Sequence, residues 1–179
     1  MHLCARILCV AIAVGTRAGA PARADDRDFT GTVTRIFDGD SFLVRPATGW
    51  DVDVRLIDID APEKNQPHAD VSRAALQKLI GARRVFVDVI DVDRYQRKLA
   101  RVYREPDRLE ISRALVHDGH VWVYRRTARD RSLFALEDAA KASGAGLWSL
   151  PEPDRIPPWR FRYLKRKKEE PRKTAKKDE

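Results

Sequence analysis

The chain has 179 residues, with 35 Lys and Arg against 27 Asp and Glu, for a net charge of +8. Residues 160–179 hold ten basic and four acidic side chains, so the positive charge belongs to the C-terminal stretch and the rest is close to neutral. That length suits one ordinary domain with a real core. After residue 24 no apolar run is long enough to cross a bilayer. Both cysteines, Cys4 and Cys9, fall within the first 24 residues, which excludes disulfides, Cys-ligated zinc and a Cys nucleophile from the remainder.

In chain order, residues 1–24 read as a secretory leader. Arg6 is the basic start, residues 7–15 are apolar, and Ala22-Arg23-Ala24 is a small-residue cleavage end. The expectation is export to the periplasm or the medium, with no membrane attachment after cleavage. A strand-like run with Thr30, Thr32, Val33 and Thr34 then leads to Asp38-Gly39, a hairpin signal. Residues 41–45 form a second strand. Residues 50–59 form a third, with Trp50, Val52, Val54 and Leu56 on one face and Asp51, Asp53 and Arg55 on the other. Residues 84–91 and 98–104 supply two more. Val71, Ala74, Leu76 and Leu79 or Ile80 make a helical stripe stopped by Gly81. Ile111, Leu115 and Val116 make a second stopped by Gly119, and Leu133, Leu136, Ala139 and Ala140 a third ending at Gly144 and Gly146. This order predicts an α+β protein, a five-stranded β-barrel of OB-fold type with three helices, over residues 25–150. Residues 151–179 open with Pro151, Pro153, Pro157 and Pro158 and run into dense charge, which predicts an irregular basic tail.

Three clusters carry chemistry: Asp38-Gly39-Asp40-Ser41 at a hairpin tip, residues 55–63 where a strand enters a turn, and Asp93-Arg94-Tyr95-Gln96-Arg97 between two strands. Asp40 and Asp60 would offer hard carboxylate oxygens, suited to Ca²⁺ and, less well, Mg²⁺. Arg55 lies five residues before Asp60, so strict alternation puts the two on opposite faces. Only a bend or bulge brings both to one site. Arg55 and Arg97 present planar forks that match phosphate oxygens, and Glu63, just past Pro62, could take a proton from water. A cation, two guanidiniums and a base form a minimal set for attack on a phosphodiester. Trp122 and Trp148 read as packing residues between helices and barrel, and His68, His117 and His120 lack a zinc-ligand spacing.

The strings DGDS, VRLIDIDAPE and DRYQRKLA, followed by LVHDGHVWVY and GLW, resemble the staphylococcal nuclease (thermonuclease) family from about residue 29 to residue 148. The resemblance implies an OB-fold barrel and Ca²⁺-dependent cleavage of DNA and RNA that leaves 3′-phosphates. It implies metal binding by Asp40, Asp60 and the backbone carbonyl of Ala61, and catalysis by Arg55, Arg97 and Glu63. Arg94, Tyr95 and Tyr124 would lie near the substrate phosphates. It implies a monomer with nucleic acid as its partner. Gln96 stands where relatives carry Gly, so a positive φ there would cost on the order of 1 kcal/mol and could re-aim Arg97. A non-catalytic OB-fold module that binds nucleic acid is the alternative from another class.

Overall fold

A computed structural model describes residues 28–174. The leader expected over residues 1–24 lies outside the described residues. None of the described helices is long and apolar enough to cross a membrane.

Strands β1 (Phe29–Ile36) and β2 (Ser41–Pro46) pair antiparallel, with Val33 opposite Val44 and Ile36 opposite Phe42. Strand β3 (Val52–Leu56) continues antiparallel to β2 and sets Arg55 opposite Ser41. Across the gap, β5 (Arg84–Val92) pairs with β1, and β6 (Lys98–Arg104) pairs with β5. The barrel closes where β3 runs parallel to β6, with Leu56 opposite Ala100. Two short pieces lie outside it: β4 (Ile59–Asp60) ladders onto β8 (Trp122–Val123), and β7 (Leu109–Glu110) extends the edge of β6. A closed five-strand cycle leaves inward side chains no route to water, and Phe42, Val44, Val54, Val85, Val87, Ala100 and Val102 are fully buried inside it. Trp50 departs from the expected inward stripe. It is 83% exposed because β3 starts only at Val52, so Trp50 belongs to the preceding turn.

Helix α1 (Ala69–Ile80) buries Leu76 and Ile80, α2 (Ile111–His117) buries Ile111, Leu115 and Val116, and α3 (Ser132–Ser143) buries Leu133 and Ala140. These are the three expected helices, with α3 ending at Gly144 in the left-handed region. A smaller cluster, with Ala140, Leu147 and Trp148 at its centre and Trp122 against it, ties α3 to β8.

The irregular tail expected after Pro151 is corrected by a fourth helix, α4 (Pro158–Thr174). Its first residue is Pro158. A proline there forfeits no helical hydrogen bond, because the first N–H groups of a helix have no partner in it. Trp159 anchors α4 edge-on to Trp122 and Tyr124, with ring centroids 6.1 and 5.4 Å away. The Gln66 amide donates to the carbonyl of Ile156 just before it.

Candidate active site

The site grows from the turn after β3. Asp58 has φ 68, in the left-handed region, so the chain reverses its facing between Leu56 and Ile59. That is the bend the spacing of Arg55 and Asp60 required. Asp58 is held in this conformation by distant backbone. Its carboxylate accepts N–H bonds from Arg129 (2.8 Å) and Asp130 (3.2 Å), and its carbonyl accepts the N–H of Tyr124 (2.9 Å). The hairpin tip is fixed just as tightly. A Cβ on Gly39 would sit 2.0 Å from Ser72 Oγ and 2.9 Å from Ala61 Cβ, so only glycine lets the tip pack against α1.

These constraints bring Asp40, Arg55, Asp60 and Ala61 together. Arg55 donates from Nη1 to Asp40 Oδ1 (2.5 Å) and from Nη2 to Asp60 Oδ1 (2.8 Å), so one planar fork spans both carboxylates. The other oxygen of Asp40 accepts the Ala61 N–H at 2.7 Å, and Ser41 Oγ donates to Asp40 Oδ1 at 2.7 Å. Asp40 is 1% and Asp60 2% exposed. Carboxylates so buried are tolerated only when paired and hydrogen-bonded.

A cleft of about 270 Å³ opens beside this cluster, walled by Arg55, Asp60, Arg97, Tyr124 and Arg162 among others. Arg97 is braced there by Asp93, whose Oδ2 accepts from Nε at 2.9 Å and whose Oδ1 accepts the Arg97 N–H at 3.1 Å. Gln96 does have φ 66, yet the same Asp93 carboxylate also takes the Tyr95 N–H (2.8 Å) and closes the turn. The strained residue therefore leaves Arg97 in the cleft with Arg55. Arg94 and Tyr95 are not part of the cleft wall. They project from this turn, with Arg94 Nη2 donating to Tyr95 Oη at 2.8 Å and the guanidinium of Arg97 5.6 Å from the Tyr95 ring. Glu63 is not among the residues that line the cleft, and its N–H donates to Gln66 Oε1 at 3.0 Å.

The partner that Glu63 finds is Arg162 of α4, which pairs with it through Nη1. The same guanidinium donates from Nη2 to Asp60 Oδ2 at 2.7 Å. Sequence reasoning missed this residue. Three carboxylates thus meet two guanidiniums. Burial raises Asp60 above the ordinary carboxylate range, against the pull of Arg162 and Arg55. For Arg162, burial works to lower the pKa but is outweighed by the bonds to Asp60 and Glu63, so it is raised. Asp38, next to the cluster, is pushed up to about 7, first by burial and then by the charge of Asp40.

Among the described residues no three acidic or histidine side chains converge as a ready-made metal cluster. Two buried carboxylates tied to one fork, one of them holding the Ala61 N–H, still fit a hard divalent cation by donor chemistry. Such an ion would draw the rest of its shell from water and a phosphate oxygen.

A closed five-stranded barrel with acids and guanidiniums gathered beside one cleft defines a protein of OB-fold class. Residues 53–150 match the family model described as staphylococcal nuclease homologue, and the chain belongs to that family. It is 40% identical over 152 residues to Protein ParB of Escherichia coli, covering 80% of this chain and 82% of that one. It is 36% identical over 169 residues to a Micrococcal nuclease of Shigella flexneri (88% and 92% covered). It is also 36% identical over 138 residues to an uncharacterized endonuclease of Escherichia coli O157:H7 (77% and 88% covered).

Proposed function

We propose that this chain is an exported, Ca²⁺-dependent phosphodiesterase that cleaves DNA and RNA internally with little sequence preference and leaves 3′-phosphates. The observation that carries the reading is the Arg55 fork across Asp40 and Asp60, set in the same cleft as Arg97. Family membership and the printed names of the relatives support the nuclease part of this reading.

Asp40, Asp60 and the Ala61 carbonyl would hold the cation, which supplies positive charge to a non-bridging phosphate oxygen. Arg55 and Arg97 bind the phosphoryl oxygens and gain strength as negative charge builds on them, each worth about 3 to 4 kcal/mol in the transition state. Glu63, freed from Arg162, takes a proton from a water aligned with the scissile bond. The water oxygen joins phosphorus as the P–O5′ bond breaks, and the departing oxygen takes up a proton to become a 5′-hydroxyl. Tyr95 and Arg94 flank the path of the strand beside Arg97, and Tyr124 walls its other side. Nothing in this scheme reads base edges, which agrees with low sequence preference.

Purified chain incubated with single-stranded DNA and RNA should digest both with Ca²⁺ and neither with EDTA, and end-labelling should find 3′-phosphates. Intact nucleic acid with Ca²⁺ supplied would overturn the reading. Export predicts a mature N-terminus at Asp25, checked by mass spectrometry of the secreted protein.

A further inference from the structure

His68 and His120 are 52 residues apart in the chain and meet in the fold. His68 Nε2 lies 3.1 Å from His120 Nδ1, and the rings stack with centroids 5.4 Å apart and 21° between their planes. Both side chains are half-buried, and neither lines the cleft beside Asp60. One ring donates and the other accepts, so at least one of the two must be uncharged.

What the pair holds is the loop of Glu63. This loop leaves the site at Ala61, whose N–H is bound by Asp40, and ends at His68, directly before α1. Its turn is closed from both ends. The Gln66 N–H donates to the Glu63 carbonyl at 2.8 Å, and the Glu63 N–H donates to Gln66 Oε1 at 3.0 Å. Asn65 at φ 70 and His68 at φ 71 both lie in the left-handed region. That conformation is unfavourable for a residue with a Cβ and persists where the surroundings impose it. His68 also begins α1 without capping it: its side chain makes no hydrogen bond to the helix and is turned to His120 instead. The Gln66 amide ties the middle of the loop to Ile156, which leaves the histidine contact to restrain its far end. The Glu63 carboxylate meets the same guanidinium of Arg162 that holds Asp60, so a shift of this loop moves Glu63 relative to Asp60.

We propose that His120, acting through His68, is a positioning residue that keeps the Glu63 loop in its working place. This rests on the nuclease reading for the role of Glu63, and adds a residue outside the cleft on which that role depends. Two imidazoliums carry donors only, so the contact is lost once both rings are charged. The charged groups around the pair are Lys78 of α1, Arg83 in the turn after it, Arg104 of β6 and Asp118 at the end of α2, which share one hollow with His120. Asp118 is also bound by His117, at 2.8 Å. Asp70, two residues beyond His68, lines a different hollow with Lys64 and Arg73. Burial, and then the charge of His120, lower His68 to about 4. Burial lowers His120 as well, with Asp118 opposing and Lys78 adding to the effect. The contact is therefore intact at neutral pH and opens as pH falls toward 4.

The test compares the full chain with His120→Leu and His120→Asn. Leucine removes the bond, whereas asparagine places a polar atom near the position of Nδ1 and does not titrate. With Ca²⁺ and single-stranded DNA at pH 8, His120→Leu should lower kcat about tenfold and leave KM within about twofold, because the arginines that bind phosphate are untouched. His120→Asn should restore most of kcat. At pH 4 it should also keep about twice the share of its neutral activity that wild type keeps, since every other titrating group is common to both. Amide hydrogen exchange at pH 7 gives a readout without nucleic acid. In His120→Leu the Glu63 N–H should speed up about tenfold more than that of Val102 in the barrel, which corrects for any general loss of stability. Wild-type kcat in the leucine variant, an asparagine variant as impaired as the leucine one, matching acid profiles, or equal acceleration at Glu63 and Val102 would each overturn the proposal. Failure of the nuclease reading shows instead in the wild type, as nucleic acid left intact with Ca²⁺.

Discussion

Two buried carboxylate clusters lie on either side of α4's docking surface, and they are built to opposite ends. Glu137 of α3 is 2% exposed, as deeply buried as Asp60, and is also bound by arginine. One of its oxygens accepts the Val123 N–H at 2.9 Å, and the other takes Arg125 (2.7 Å) and Lys141 (2.8 Å). Arg125 and Lys141 also reach the exposed Asp138, so two acids meet two cations that reach water, and with one backbone donor they settle the charge and pin β8 to α3. At the candidate active site, two fully buried acids share one fork, and the remaining oxygen of Asp60 depends on a side chain 102 residues away. The first arrangement is complete within its own neighbourhood. The second holds excess negative charge that a divalent cation can offset. Burial and an arginine partner therefore do not mark a functional site by themselves. What marks it is acids outnumbering the fixed cations beside an open cleft.

The comparison breaks most sharply at Arg97 and Arg55. Replacing either with Ala should lower turnover on single-stranded DNA by on the order of 10²–10³-fold, since each loses a donor that matters most in the transition state. Arg55→Ala should also lower thermal stability, because Asp40 and Asp60 lose their shared fork. Steady-state rates near wild type for both variants would dissolve the distinction between the clusters. Glu137→Ala tests the other side. The buried Val123 N–H loses its acceptor, but Arg125 and Lys141 can turn to solvent, so the cost should be about 2 to 3 kcal/mol. That loss should read out in denaturant midpoint equally with Ca²⁺ and with EDTA. Asp60→Asn should instead abolish any stabilisation that Ca²⁺ gives the wild type.

A subtler effect is expected at Asp38. Its folded pKa of about 7 lies above the ordinary carboxylate value, so the folded state holds a proton that the unfolded state has released. The associated stability is complete below about pH 4 and is lost as pH rises through 7. Asp38→Asn keeps an acceptor for the Asp40 N–H, which Asp38 Oδ1 takes at 2.9 Å, and cannot ionise. In EDTA, the variant should be more stable than wild type at pH 8 and no more stable at pH 4. A stability difference independent of pH would mean that Asp38 is charged throughout.

What the sequence revealed and what it hid divide along range. The Asp-Gly tip, the alternation of β3 and the helical stripes are local signals, and each maps onto an element of the fold. The alternation also demanded a bend between Arg55 and Asp60. It could not single out Asp58, because the bonds that hold Asp58 at φ 68 come from Arg129 and Asp130 in a distant loop. Trp50 was misplaced for the opposite reason. Its alternation with Val52 is real, but pairing begins after it and the turn carries it into water. Arg162 left no local trace. It sits in a run of like charges whose usual meaning is a solvated surface, and the prolines before it read as a stop when Pro158 is in fact the start of α4. The available signal was Trp159 directly after that proline, an aromatic anchor in an otherwise charged segment.

Arg162 also yields the smallest and most discriminating prediction. Its guanidinium sits on Asp60 and Glu63, so a divalent cation at Asp60 must compete with a positive charge already in place. The contact is more than a third exposed on the arginine side, so solvent screens much of it and the competition is modest. Arg162→Ala should therefore tighten Ca²⁺ binding about fivefold, or roughly 1 kcal/mol, measured by calorimetry without substrate. Arg162→Lys should fall between the two, keeping the charge but losing the two-pronged grip on Asp60 and Glu63. If Arg162 instead only props α4 against the barrel, its removal loosens the acids and the affinity for Ca²⁺ falls. The sign of the change thus separates a cation that competes for the site from one that merely supports it.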